Sequence, residues 1–311
     1  MALSQVAADD AVVMKAGDRG WHEAGRDAVS GLTKLVRKRA KAIDREIGVD
    51  PVHDMRTATR RLRTAITLYA ADAPKKRRDN VEDELKRVSR RLGDVRDLDV
   101  LLETLDNGQD RRDGEIEPLR AAWRSERTTS ARRLRAEIDR PRFRRALRAT
   151  SKLVDDDSGP RPQMDRVATQ APGLIWDAFG EVIAYEVDPR TADPAAIHQM
   201  RIAAKKLRYT LEAFEGALQP GATLIDDVTA LQDTAGEMHD AIVAGQRARS
   251  TVQERDLTRR QRRAINVYAE SQARRAEHLR PAIARRLRTI RSRAFRESLG
   301  RAVAGMGRIP V

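Results

Sequence analysis

The sequence predicts an all-α protein built from a duplicated helical unit, on three observations. Apolar residues recur at helical spacing over long stretches, with Ala, Leu, Arg and Glu between them, and alternation of period two is scarce. Breaks rich in Gly, Pro, Asp and Asn fall at Gly48 to Pro51, Asp72 to Pro74, Asn107 to Gly114, Asp139 to Pro141, Asp188 to Pro194 and Gln219 to Gly221, leaving helices of bundle length between them. The third observation is self-similarity between the two halves.

The repeat has three blocks in the same order. His53-Asp-Met-Arg56-Thr-Ala-Thr-Arg60-Arg61-Leu62-Arg63 returns as His198-Gln-Met-Arg201-Ile-Ala-Ala-Lys205-Lys206-Leu207-Arg208. Leu92-Gly93-Asp94-Val95-Arg96-Asp97 returns more loosely around Gly236-Glu237-Met238-His239-Asp240, which sets Arg96-Asp97 against His239-Asp240. Ala131-Arg-Arg-Leu-Arg135 returns letter for letter as Ala284-Arg-Arg-Leu-Arg288, with Phe143 and Phe295 following. Residues 20–154 are therefore expected to form a first bundle and 163–305 a second, joined by a linker at 155–162 where Asp, Gly and Pro crowd.

Composition narrows the function classes. Lys and Arg total 61, of which 51 are Arg, against 47 Asp and Glu, giving a net charge of +14. Such a chain favours polyanionic partners. The absence of cysteine removes disulfides, thiolate metal sites and cysteine nucleophiles. Asp9-Asp10 lie where the apolar core of a signal peptide would be, and no apolar run is long enough to span a bilayer, so a cytoplasmic protein with no membrane partner is expected. With three Trp, four Tyr and four Phe, stacking platforms for single-stranded nucleic acid are disfavoured.

At about 100° per residue, His53, Arg56, Arg60 and Arg63 share a sector of about 80°. His198, Arg201, Lys205 and Arg208 do the same on the second copy. The opposite faces carry Met55, Leu62, Ile66 and Tyr69, and Met200, Leu207, Leu211 and Phe214, which read as bundle core. Like charges three or four apart repel by a few tenths of a kcal/mol unless something negative faces them. The stripe is either a solvated face, one side of an internal lattice of ion pairs with Asp97, Asp99, Glu103 or Asp240, or the site of a ligand. Occurrence of the stripe twice favours the ligand. Arg offers forked contacts to phosphate oxygens, Lys a point charge, and His a further donor.

These residues resemble the conserved histidine α-helical domain (CHAD) family, through the His-x-x-Arg-x-x-x-Arg-Arg-Leu-Arg block, the Leu-Gly-Asp-Val-Arg-Asp block and their second copies, over about residues 20–305. The resemblance implies two helical bundles related by a pseudo-twofold axis and non-catalytic binding of inorganic polyphosphate in a basic groove or channel between them, in association with polyphosphate granules. It implies that His53, Arg56, Arg60, Arg63, His198, Arg201, Lys205 and Arg208 line that groove, with Arg61, Arg96, Lys206 and His239 as further phosphate-binding residues. Some members carry an N-terminal triphosphate-tunnel domain; there is no room for one before residue 20, and a stand-alone module is expected. No metal, cofactor or catalytic residue is expected. A nucleic-acid-binding protein and a histidine-dependent phosphohydrolase are the alternatives; neither His53 nor His198 has a second ligand at metal spacing or a carboxylate to complete a set.

Overall fold

The computed structural model describes residues 17–45, 47–107, 113–155, 166–218 and 221–306. Ten α-helices and two 3₁₀ turns account for most of them, and the described residues form no strand, only one isolated bridge between Gly20 and Arg166. In the first half lie α1 (Trp21–Arg45), α2 (Val49–Tyr69), α3 (Lys75–Asn107), α4 (Asp113–Ile138) and α5 (Pro141–Ala149). In the second lie α6 (Val167–Ala184), α7 (Pro194–Ala213), α8 (Ala222–Glu254), α9 (Arg259–Arg291) and α10 (Arg293–Ala304). None of the described helices is long and apolar enough to cross a membrane.

Local chemistry sets most boundaries. Pro141 opens α5 and Pro194 opens α7, each at a first-turn position where its missing N–H costs nothing. The Asp193 side chain accepts from the Ala195 amide at 2.7 Å, capping α7. Two boundaries have neither Gly nor Pro: α9 gives way to α10 at Ser292, whose side chain accepts from the Phe295 amide, and α8 ends at Glu254 before α9 starts at Arg259, held by a capping box in which Thr258 and Gln261 each bond the other's backbone amide. The linker positions 156–162 lie outside the described residues.

The packing repeats with the helices. In each half the first helix packs on the second, the second on the third, and the third on the fourth and fifth. Between halves each of the first four helices meets its equivalent: α1 with α6, α2 with α7, α3 with α8 and α4 with α9. That pairing of like with like is what a twofold arrangement produces, and it supports the reading of the chain as a repeat.

The expected apolar faces of α2 and α7 are buried throughout: Met55, Leu62, Ile66, Met200, Leu207, Leu211 and Phe214 have 0% exposure, and Tyr69 has 6%. They belong to one hydrophobic cluster that runs through both halves. At its centre Trp21, Tyr69 and Phe214 form an aromatic group, with centroids 4.3 Å apart for Trp21 and Tyr69 and 6.2 Å for Tyr69 and Phe214. Gly25 lets α1 close on it, since a Cβ there would lie 2.9 Å from Tyr69 Cβ. A second cluster around Leu119, Trp123, Ala248 and Ile265 joins α4 to α8 and α9.

Candidate anion-binding cleft

The contact of α2 with α7, and of α3 with α8, opens a cleft of about 360 Å³. Each of the four helices supplies charged residues to it: His53, Arg56 and Arg60 from α2, Arg96 and Asp97 from α3, Arg201 from α7, and His239 and Asp240 from α8. Thr57, Val100, Leu101 and Val243 complete the wall. The two matched dipeptides, Arg96-Asp97 and His239-Asp240, thus face one space from opposite halves.

Within each half the motif histidine meets the equivalent position of the third helix. His53 lies beside Arg96. The His198 ring lies on His239, with centroids 4.5 Å apart. Burial is the first cause that lowers the pKa of all three histidines below the ordinary value, and neighbouring cations add to it. At neutral pH they are uncharged donors and acceptors, and His198 Nδ1 is buried with no hydrogen-bond partner.

The guanidiniums are the main source of charge. Among the described residues, Arg56, Arg60, Arg63, Arg96, Arg201 and Lys205 have no ion-pair partner, and Arg60 Nε and Arg201 Nε are buried without a hydrogen bond. The internal lattice of ion pairs is therefore not formed: Asp99, one of its expected members, instead holds Arg127 at 2.7 Å. Arg60 rests on the Tyr209 ring at 4.4 Å, with Lys205 at 5.8 Å from the same ring. Lys205 is half-buried and feels Arg56, Arg60, Arg201 and Arg63. Burial first, and these charges next, push its pKa down to about 8. Desolvation likewise raises Asp97 and Asp240 above the ordinary carboxylate value, each being opposed by the arginines and assisted by another carboxylate.

Of the twelve residues expected at a phosphate site, His53, Arg56, Arg60, Arg96, Arg201 and His239 line the cleft. His198 backs His239, Lys205 lies among the arginines, and Arg63 is close enough to act on Lys205. The other three are exposed or paired within the chain. Lys206 pairs with Glu181 of α6, and the matching Arg61 is exposed and outside the lining, because one residue of helix turns each about 100° from its neighbour at 205 or 60. Arg208, expected in the groove, is held by Glu212 at 2.6 Å and lies 3.8 Å from Asp233, so its charge is met from within the chain. Asp97 and Asp240, expected opposite the stripe as internal ion-pair partners, do line the cleft but make no ion pair there among the described residues, while Tyr209 beneath Arg60 had no signal in the spacing.

A family model of the CHAD domain matches residues 28–249. The chain belongs to the CHAD domain family. The fold agrees with two solved structures: the CHAD domain from the plant Ricinus communis, at a TM-score of 0.73 and 21% identity, covering 89% of this chain and 94% of that one; and PptA from Streptomyces chartreusis, at 0.64 and 17%, covering 87% and 100%. No curated protein matches the chain in sequence. In this CHAD chain, His53, Arg56 and Arg60 of one motif helix and Arg201 of the other meet in the same cleft.

Proposed function

We propose that this CHAD protein binds inorganic polyphosphate in the cleft, without catalysis, and that it associates with polyphosphate granules through that binding. The observation that carries this reading is the set of unpaired arginines, contributed by both halves to one cleft. Burying and crowding like charges costs free energy. A polymer carrying negative charge at every repeat removes that cost and releases its own condensed counterions. Nucleic acid would meet the same charge, but the wall holds no Trp, Tyr or Phe to stack a base, and its neutral residues besides the histidines are aliphatic or Thr.

The test is competition. Long-chain polyphosphate is expected to displace labelled duplex DNA and RNA at equal phosphate concentration, with no orthophosphate released. Preference for nucleic acid reverses the ranking, and release of orthophosphate overturns the non-catalytic reading in favour of a phosphohydrolase.

Binding should also report the cleft's titrations. Bound phosphate raises the Lys205 pKa from about 8, so binding takes up a proton and affinity falls as pH rises through that value. Acidification works the same way, charging the three histidines and neutralising Asp97 and Asp240. Stability of the free protein moves in the opposite sense. The depressed pKa values mean that the unfolded chain binds more protons, both below the ordinary His range and between about 8 and the ordinary Lys value. In the acidic range the raised Asp97 and Asp240 offset the histidines, so the opposite trend of affinity by titration and stability by urea melts is expected between about pH 8 and the ordinary Lys value. Affinity that rises through pH 8 contradicts the role of Lys205.

A further inference from the structure

Outside the cleft, two equivalent places in the repeat are rich in arginine. Residues 131–148, at the corner of α4 and α5, hold eight Arg against two carboxylates, and residues 284–301, at the corner of α9 and α10, hold seven against one. The carboxylates are consumed locally: Glu137 pairs with Arg140, Asp139 with Arg144 and Glu297 with Arg293. Arg291 donates to the Tyr185 and Val187 carbonyls, and Arg301 to Ser298.

This leaves Arg132, Arg133, Arg142, Arg145 and Arg148 exposed at the first corner and Arg285, Arg286, Arg288 and Arg296 exposed at the second, with no ion-pair partner among the described residues. Asp227 and Asp188 act on Arg286 and Arg288 only at longer range. The arginines sit opposite buried faces, Phe143, Ala146 and Leu147 on α5 and Phe295, Leu299 and Ala302 on α10, so packing fixes which way they point. None of them lines the cleft. Here the same Ala-Arg-Arg-Leu-Arg block, followed by a buried Phe, brings unpaired guanidiniums to one corner of each half.

We propose that these two corners are exterior polyphosphate-binding surfaces, by which one molecule holds more than one strand and cross-links strands. This rests on the polyphosphate reading of the cleft. Each exposed guanidinium offers a forked contact to phosphate oxygens, and several on one face track a flexible strand with no need for an enclosing wall. Two such faces in addition to the cleft make the chain multivalent.

The experiment compares wild type with a corner variant carrying Arg132→Gln, Arg133→Gln, Arg142→Gln, Arg145→Gln, Arg285→Gln, Arg286→Gln, Arg288→Gln and Arg296→Gln. Calorimetric titration with a short polyphosphate reads the cleft, and light scattering with long-chain polyphosphate reads cross-linking. The corner variant should keep its short-chain affinity within about twofold, while its scattering onset moves to roughly tenfold more protein. Scattering equal to wild type overturns the assignment. Scattering of wild type by duplex DNA, with neither short nor long polyphosphate bound, instead locates the failure in the polyphosphate reading. A variant changed at one corner alone should fall between the two, and decides the matter if the eight changes together impair folding.

Discussion

Replacing Arg56, Arg60 and Arg201 together by Gln lowers polyphosphate affinity by about two to four orders of magnitude at low salt. A hydrogen bond to a charged group contributes about 1.5 to 3 kcal/mol, and a flexible polymer recovers part of the loss on the cations that remain. The salt dependence is the sharper readout, because each phosphate contact contributes about 0.7 to 0.9 to the slope of log affinity against log salt, so the slope should flatten by about two to three. Helicity and the free protein's melting temperature hold or rise, since these side chains have no ion-pair partner to lose and repel one another. Fluorescence titration across a sodium chloride series measures both. A weakened affinity with an unchanged slope would mean that the three arginines act through the fold.

Leu207→Ala has the opposite profile. Leu207 has 0% exposure and packs in the cluster that spans both halves, so truncation costs about 2 to 5 kcal/mol. That is a large share of the roughly 5 to 15 kcal/mol that holds a typical domain together. Leu62→Ala, at the equivalent position and equally buried, should cost the same. Because Trp21, Tyr69 and Phe214 tie the halves through one aromatic group, each variant should unfold in urea as a single transition shifted to lower denaturant. Two separated transitions, with only one displaced, would mean that the halves fold as independent bundles.

The sequence showed its helices plainly, because propensity, apolar period and the breaks at Gly48, Pro141 and Pro194 agree with one another. The break between Glu254 and Arg259 stayed hidden in a run of charged residues, its only signal being the Thr258 and Gln261 pair. The division into two bundles understated the joint core: periodicity shows that a face is apolar but not which helix will cover it. The site was legible to the resolution of a helical sector. A sector of about 80° holds Arg208 together with Arg201, yet two turns along α7 the neighbours change from the cleft to Glu212 and Asp233. Ion pairing between helices, which separates a free arginine from a spent one, is a tertiary property that no spacing encodes.

The central claim is that side chains one residue apart on the motif helices meet different fates. The most direct measurement is polyphosphate affinity for four single variants, Arg60→Gln, Arg61→Gln, Lys205→Gln and Lys206→Gln, at one salt concentration below 0.1 M. The account predicts roughly tenfold loss or more at 60 and 205, and a change within about twofold at 61 and 206, where the charge is exposed or already paired. Equal losses at all four positions would contradict it, since they would reduce binding to net charge and leave the cleft without a role.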